Sequence, residues 1–293
     1  MADRELKQVL IPEGLVGERV DSALSKLLGL SRTVIIDLIE VGDVTKKGKR
    51  ITKSQKVELG EHFEVLLPEV KVKGVLTPTP IDNLKVIYDD ADIIVVDKPV
   101  GVAAHASPGW EGPTVIGAII AAGFEINTSG VAERQGIVQR LDVGTSGLMV
   151  VAKNEFSYSV MKDQFRNRLV KKTYHAMIQG HMDPSEGTID APLDRHPRDD
   201  YKFAVTSGGK PSITHYRSIE FFPAVSLLEI ELETGRTHQI RVHFSALRHP
   251  LVGDLIYGAD HTLAKRLEIT RPWLHACNLE FKHPRTGSLL SFA

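Results

Sequence analysis

Gly136-Ile-Val-Gln-Arg-Leu-Asp-Val-Gly-Thr-Ser-Gly-Leu-Met-Val-Val-Ala-Lys153 is the stretch on which the reading of this chain turns. An apolar run from Gly136 to Leu141 enters Asp142, a turn with Gly144 and Gly147 follows, and a second apolar run covers Leu148 to Ala152. Short aliphatic and β-branched runs bounded by turn residues predict a strand on each side. A carboxylate between two strands is costly unless a cation or several donors meet it. Arg140, two residues earlier, would share its face of a strand. Spacing alone leaves two readings open: a structural ion pair, or a carboxylate that does chemistry.

Outward from this stretch the pattern stays strand-rich. Ile93 to Val96, Thr173 to Ile178, Thr214 to Ile219 and Ser226 to Leu232 all have strand content, and helices are predicted at Thr114 to Ala122, Glu155 to Arg168 and His238 to Leu247. The mixture predicts an α+β fold on a large, mostly antiparallel mixed sheet. Toward the N-terminus Val20, Leu24, Leu27 and Leu28 follow helical spacing up to Gly29, and Ser31 is placed to cap a second helix with Ile35, Leu38 and Ile39 on its apolar face. A closing strand is expected at Glu64 to Leu67. The division expected is a small domain over 1–68, a Pro-containing linker over 69–83 and a larger domain over 84–293.

Composition narrows the class. The 293 residues are 42% hydrophobic and 25% charged, which is ordinary globular material with a real core. No apolar run is long enough to cross a bilayer, and the charged start of the chain lacks a secretory signal. The lone Cys277 rules out an intrachain disulfide and a thiolate-rich zinc site. A cytoplasmic protein without a membrane is therefore expected. The formal net charge of −1 speaks mildly against nucleic acid, but local density is what neutralises phosphates. Val44 to Val57 holds Lys46, Lys47, Lys49, Arg50, Lys53 and Lys56 with no acid, and a second basic stretch carries Arg166, Arg168, Lys171 and Lys172. Either stretch taken alone fits solvated surface equally well.

Two resemblances sharpen these readings. Arg19 and Asp21, then Ser31-Arg32, then Gly42 and Val44 resemble an S-four-type RNA-binding domain (the alpha-L motif). Lys47-Gly48 stands where that family has Asn-Gly, and Gly60-Glu61 where it has Gly-Asp. Arg140-Leu141-Asp142 with Thr145-Ser146-Gly147-Leu148 resembles the signature of the RluA/RluD family of pseudouridine synthases. Asp97-Lys98-Pro99 with Gly101 and His105, Lys171 to Ala176, Glu233 to His243 with His249-Pro250 and Gly253-Asp254, and Leu274-His275-Ala276 with His283-Pro284 and Thr286-Gly287 continue the match in order. Gln139 departs from the family's histidine before Arg-Leu-Asp. The family also implies some further residues beyond Ala293.

The resemblance implies isomerisation of uridine to pseudouridine in structured RNA, large-subunit ribosomal RNA first. Asp142 would be the catalytic carboxylate, Arg241 its partner, and Tyr174 the ring that stacks on the base and helps remove the carbon-5 proton. Arg140, Thr145, Ser146, Gly147, Arg236, His238 and Leu274 would bind the substrate. Arg19, Ser31, Arg32, Lys46, Lys47, Lys49 and Arg50 would contact RNA from the N-terminal domain. No cofactor and no metal are implied, and a monomer is the default.

The chemistry asks for these residue types. Breaking the bond from ribose to N1 and rejoining the sugar to carbon 5 needs an anion near a sugar with oxocarbenium character. It needs a water-poor pocket, because the detached base must not escape. An aromatic face stacks on a base for about 1–3 kcal/mol, and a nucleotide must leave its helix at a cost of about a few kcal/mol to be reached. Without the resemblance, Tyr174 would be a core tyrosine and Arg236 and Arg241 a solvated helix face. His238, His243 and His249 would be ordinary hydrogen-bonding histidines. Two rival functions stand beside the first: the same chemistry on transfer RNA, and a non-catalytic RNA-binding or ribosome-assembly protein.

Overall fold

The computed structural model describes residues 5–28, 32–67, 78–82, 84–106, 110–126, 128 and 135–293. Contacts divide the chain into two units, Met1–Val75 and Leu76–Ala293. Ser31 and most of the linker expected over 69–83 lie outside the described residues. The end of that stretch is no free linker: Thr79 donates its amide to Gly117 O at 3.1 Å, and Ile81 packs against the core of the second unit.

The first unit contains β1 (Leu6–Leu10), α1 (Val20–Leu28), α2 (Arg32–Val41), β2 (Val44–Lys46), β3 (Lys49–Arg50) and β4 (His62–Leu66). Val20, Leu24, Ile35, Leu38 and Ile39 are buried together as their helical spacing demands. The sheet runs β1-β4-β2-β3, antiparallel throughout. Lys47 and Gly48 both take positive φ, 51° and 71°, the conformation a two-residue hairpin turn requires between β2 and β3. Lysine thus serves where Asn-Gly is the usual choice.

The second unit adds β5 (Lys85–Asp89), β6 (Ile93–Lys98), α3 (Val115–Ala121), β7 (Ser146–Ala152), α4 (Glu155–Arg166), β8 (Lys171–Gln179), β9 (Glu186–Asp190), β10 (Leu193–His196) and β11 (Asp199–Val205). Then come β12 (Ile213–Phe221), β13 (Val225–Leu232), α5 (Gln239–Ala246), α6 (His261–Arg266), β14 (Leu274–Lys282) and β15 (Leu289–Phe292). Nine strands form one mixed sheet in the order β5-β6-β7-β14-β8-β13-β12-β9, with β15 on β14. The pair β7–β14 is parallel and the others are antiparallel. β10 and β11 form a separate hairpin.

Both faces of the middle strands are covered, which explains their unbroken apolar runs. On β6, Ile94 and Val96 join one core with Ile116 of α3 and Phe244 of α5, while Ile93 and Val95 join another with Met161 of α4. Thr114 and Asn154 cap α3 and α4 by accepting from Gly117 N and Ser157 N, both at 3.0 Å. No helix among the described residues is long and apolar enough to cross a membrane.

One expected strand is absent. Gly136 to Leu141 touches β7 once, at Ile137 and Val151, and then leaves it. Farther along the same strand, at Ser146 and Gly147, β7 pairs with β14. A partner 129 residues away therefore displaces the local segment into an extended loop.

Candidate active site

The loop that leaves the sheet delivers Asp142 to a cavity. Thr145 N bonds to Asp142 O at 3.0 Å and closes the turn, and Gly101 N bonds to Val143 O at 2.9 Å. Gly147 has φ of 116°, and any Cβ there would run into the Ala276 backbone, so glycine is what lets β14 pair alongside. Ser146 Oγ pairs with His275 Nδ1 at 2.9 Å across that junction, and Thr145 is buried. Ser146 and Gly147 therefore hold the turn to β14.

Arg241 comes from α5, and it is buried instead of lying on a solvated helix face. Its Nε donates to Asp254 Oδ2 at 2.6 Å and its Nη2 to Asp254 Oδ1 at 2.9 Å. Only Nη1 reaches Asp142, at 3.4 Å from Oδ2. Burial works against the guanidinium charge, but Asp254 and then Asp142 outweigh it and raise its pKa.. Asp254 is held by its own surroundings: Gly253 takes φ of 81°, where a side chain would strike Arg271 O.

Arg140 does not pair with Asp142. It is exposed at the lip, because the strand that would have aligned the two side chains does not form. His238 precedes α5 in a left-handed conformation, φ 57°, an unusual one for a non-glycine residue and common at functional sites. Its Nε2 lies 3.8 Å from Asp142 Oδ2 and its Nδ1 pairs with Tyr257 Oη at 2.8 Å. Burial lowers the His238 pKa, opposed by Asp142, and Arg241 lowers it further. Tyr257 Oη also accepts from Phe203 N at 3.0 Å, and its ring lies 4.8 Å below the Arg241 guanidinium. One tyrosine thus supports both side chains that approach Asp142.

Tyr174, on β8, is 7% exposed. Burial and the Asp142 charge push its phenol pKa well above the ordinary value, so the hydroxyl stays protonated at neutral pH. Asp142, Tyr174, Arg140, Thr145, Arg236, His238, Arg241 and Leu274 line one cavity. Two larger ones open from it, about 510 Å³ on the Asp142 side and about 750 Å³ on the Tyr174 side, and Arg140 lines both. Both contacts to Asp142 fall on Oδ2, which leaves Oδ1 free of partners among the described residues. A carboxylate with one oriented oxygen and one open oxygen, lining one cavity with an aromatic ring, can act on a sugar or a base stacked there.

Several residues that position the site were given no role by the sequence reading. Lys98 is fully buried and donates to Pro99 O at 3.0 Å and Val102 O at 2.9 Å, clamping the turn whose Gly101 holds the Asp142 loop. Burial pulls its pKa down to about 8 against the attraction of Asp142. Arg271 donates to Leu274 O at 2.9 Å and Gly144 O at 3.5 Å, tying the start of β14 to the Asp142 turn. Asp254 and Tyr257 complete the set. Gly253-Asp254 stood in the matched blocks; Tyr257 left no signal. Gln139 lines the cavity of about 750 Å³ and carries a buried Nε2 without a hydrogen-bond partner among the described residues. His243 is paired on both nitrogens, with Thr214 Oγ1 and Ala191 O at 2.9 Å, and burial lowers its pKa.

In the first unit Arg19 and Arg32 converge on the buried Asp21, at 3.1 and 2.9 Å. Lys46 is engaged by Glu61. Lys47, Lys49 and Arg50 are exposed, and Arg50 lies over Gly42, where a side chain would collide with it.

The chain is similar to known proteins over most of its length. The family described as RNA pseudouridylate synthase matches residues 92–246. An uncharacterized RNA pseudouridine synthase of Mycobacterium bovis is 56% identical over 98% of this chain and 92% of its own length. The ribosomal large subunit pseudouridine synthase D of Xanthomonas campestris is 38% identical over 97% and 87%. Among solved structures, human RNA pseudouridylate synthase domain containing 1 superposes with a TM-score of 0.58 at 29% identity, covering 74% of this chain and 84% of that one.

Proposed function

The chain belongs to the RNA pseudouridylate synthase family, and from that premise we propose that it isomerises uridines of large-subunit ribosomal RNA with Asp142 as the catalytic carboxylate. A relative named for the large ribosomal subunit, similar over nearly the whole chain, supports that target. The same proposal has the enzyme acting as a monomer in the cytoplasm, where bacterial ribosomes are assembled. The N-terminal unit is the RNA anchor of the proposal: the guanidiniums of Arg19 and Arg32 stay about half exposed while they hold Asp21, and Lys47, Lys49 and Arg50 are exposed.

The observation that carries the site assignment is the one-sided engagement of Asp142. Arg241 and His238 approach Oδ2, so Oδ1 is presented to a uridine turned out of its helix and stacked on Tyr174. The bond from C1′ to N1 breaks, the uracil turns within the pocket, and C1′ bonds to carbon 5. The carbon-5 proton then leaves. The protonated Tyr174 phenol can take it only by passing its own proton to an acceptor, and in this proposal the ionised Asp142 carboxylate, whose charge it feels, is that base. Leu274 and Leu141 keep the floor of the cavity apolar, which limits loss of the detached base to water.

Full-length protein and large-subunit ribosomal RNA tritiated at carbon 5 of uridine test the proposal. The wild type releases label to water. Asp142→Asn slows release by about 10⁴-fold or more while binding the same RNA. Undiminished release by that variant overturns the role of Asp142, and release from transfer RNA alone overturns the target.

A further inference from the structure

Beside Tyr174 the fold holds a cation with nothing to neutralise it. Lys172 precedes Tyr174 by two residues on β8, so both side chains leave the same face of the strand, about 6.6 Å apart along it. Both line the cavity of about 750 Å³. The Lys172 ammonium lies beside Gly235, where even an added Cβ would be 3.9 Å away, so the groove stays open to it. Among the described residues the Lys172 ammonium has neither a hydrogen bond nor an ion pair. Burial and the charge of Arg168 pull its pKa down to about 8.

The groups around it are mostly cations, and they come from several elements. Lys162 and Arg166 face the groove from α4, Arg168 from the turn before β8, Arg236 from the loop before α5, and Arg140 from the Asp142 loop. The one carboxylate among the described residues lining the groove, Glu233, is already taken by Arg168 at 3.4 Å and His215 at 2.8 Å. His105 and Tyr158 are the remaining titratable groups. Such an arrangement is unfavourable until an anion enters. We propose that Lys172, backed by Arg168, forms a phosphodiester subsite that grips the RNA backbone next to the uridine stacked on Tyr174. The subsite rests on the uridine docking proposed above and adds the group that holds the extruded strand in place.

A phosphodiester restores the counter-charge and favours the protonated amine. Below about pH 8 the free enzyme already carries that proton and binds at full strength. Above it, binding must take up a proton, so affinity falls as the pH rises. Tritium release from ribosomal RNA, followed between about pH 7 and 9, separates the terms. The wild-type KM should rise across this range, and Lys172→Arg, charged throughout, should abolish that rise. Lys172→Met should raise KM about tenfold at neutral pH, with kcat falling far less. Equal KM for K172M and wild type overturns the subsite, as does a K172R profile that tracks the wild type. If K172M does not fold, K172R against wild type decides. If wild type releases no label, the functional reading fails instead. The subsite is then read from binding of poly(uridylate), where K172M should lower the log–log salt slope by about 0.7; an unchanged slope overturns it.

Discussion

Asp21 in the first unit and Arg241 in the second are hubs of the same two residue types with the roles exchanged. In the first, one buried carboxylate holds two guanidiniums that stay 48% and 55% exposed. In the second, one guanidinium, 7% exposed, holds two carboxylates, Asp254 at 1% and Asp142 at 18%. A saturated, buried hub is costly to break, whereas Arg19, Arg32 and Asp142, the more exposed partners, keep spare capacity. In the first unit that capacity is positive and faces solvent, where phosphates arrive. In the second it is negative and faces a cavity, where a sugar or base arrives. One pairing rule thus yields an RNA-contacting surface or a reactive carboxylate, according to which partner is buried.

The comparison is broken most easily at Asp254. Asp254→Asn keeps the shape but removes the charge that saturates Arg241, which should then swing fully onto Asp142 and close its open geometry. Single-turnover tritium release should slow about 100-fold, with about 3 kcal/mol lost in denaturant unfolding. An unchanged rate would mean that Asp254 does not align the arginine.

Asp21→Asn probes the other hub. It should destabilise the first unit by about 1 kcal/mol, read as faster hydrogen exchange of α1 and α2 amides in the full chain. Arg19, then burial opposing it, then Arg32 set the Asp21 pKa, lowered from 3.8 to about 2. A depressed carboxylate stabilises the fold above its unfolded value. The protection should therefore be complete above about pH 4 and fade as the pH falls toward 2. In Asp21→Asn this acid-dependent part should vanish; persistence of the fade would assign it elsewhere.

The smallest effect belongs to an outer partner. Arg32→Gln should leave folding nearly intact, since half-exposed pairs contribute little, and should lower the salt slope of RNA binding by about 0.7. A full slope would mean that Arg32 serves Asp21 alone.

Legibility in the sequence follows the range of the interaction. Leu148 to Ala152 and Thr173 to Ile178 are strands in the fold because their side chains alone suffice to choose a state. Val20, Leu24, Ile35 and Leu38 sort onto helix faces for the same reason. Gly136 to Leu141 has equally good strand content and is a loop, because β14 occupies the edge it would use. The pairing of β1 with β4 joins residues more than fifty positions apart and has no local signature. At the site, the residue types of Asp142, Tyr174 and Arg241 were apparent from the matched blocks, and the fold brings all three to one cavity. The expected Arg140–Asp142 pairing failed with the strand that was to carry it.

Residue order alone determined the repertoire: which segments can be strands, which glycines must turn, and which carboxylate stands next to a turn at the end of an apolar run. It could not say that Arg241 would spend its best hydrogen bonds on Asp254, that Tyr257 would sit beneath both neighbours of Asp142, or that Lys172 would be left without a counter-charge. Those outcomes depend on which side chains are buried together. Burial is a property of the packed chain, and it decides how strongly each charge is felt.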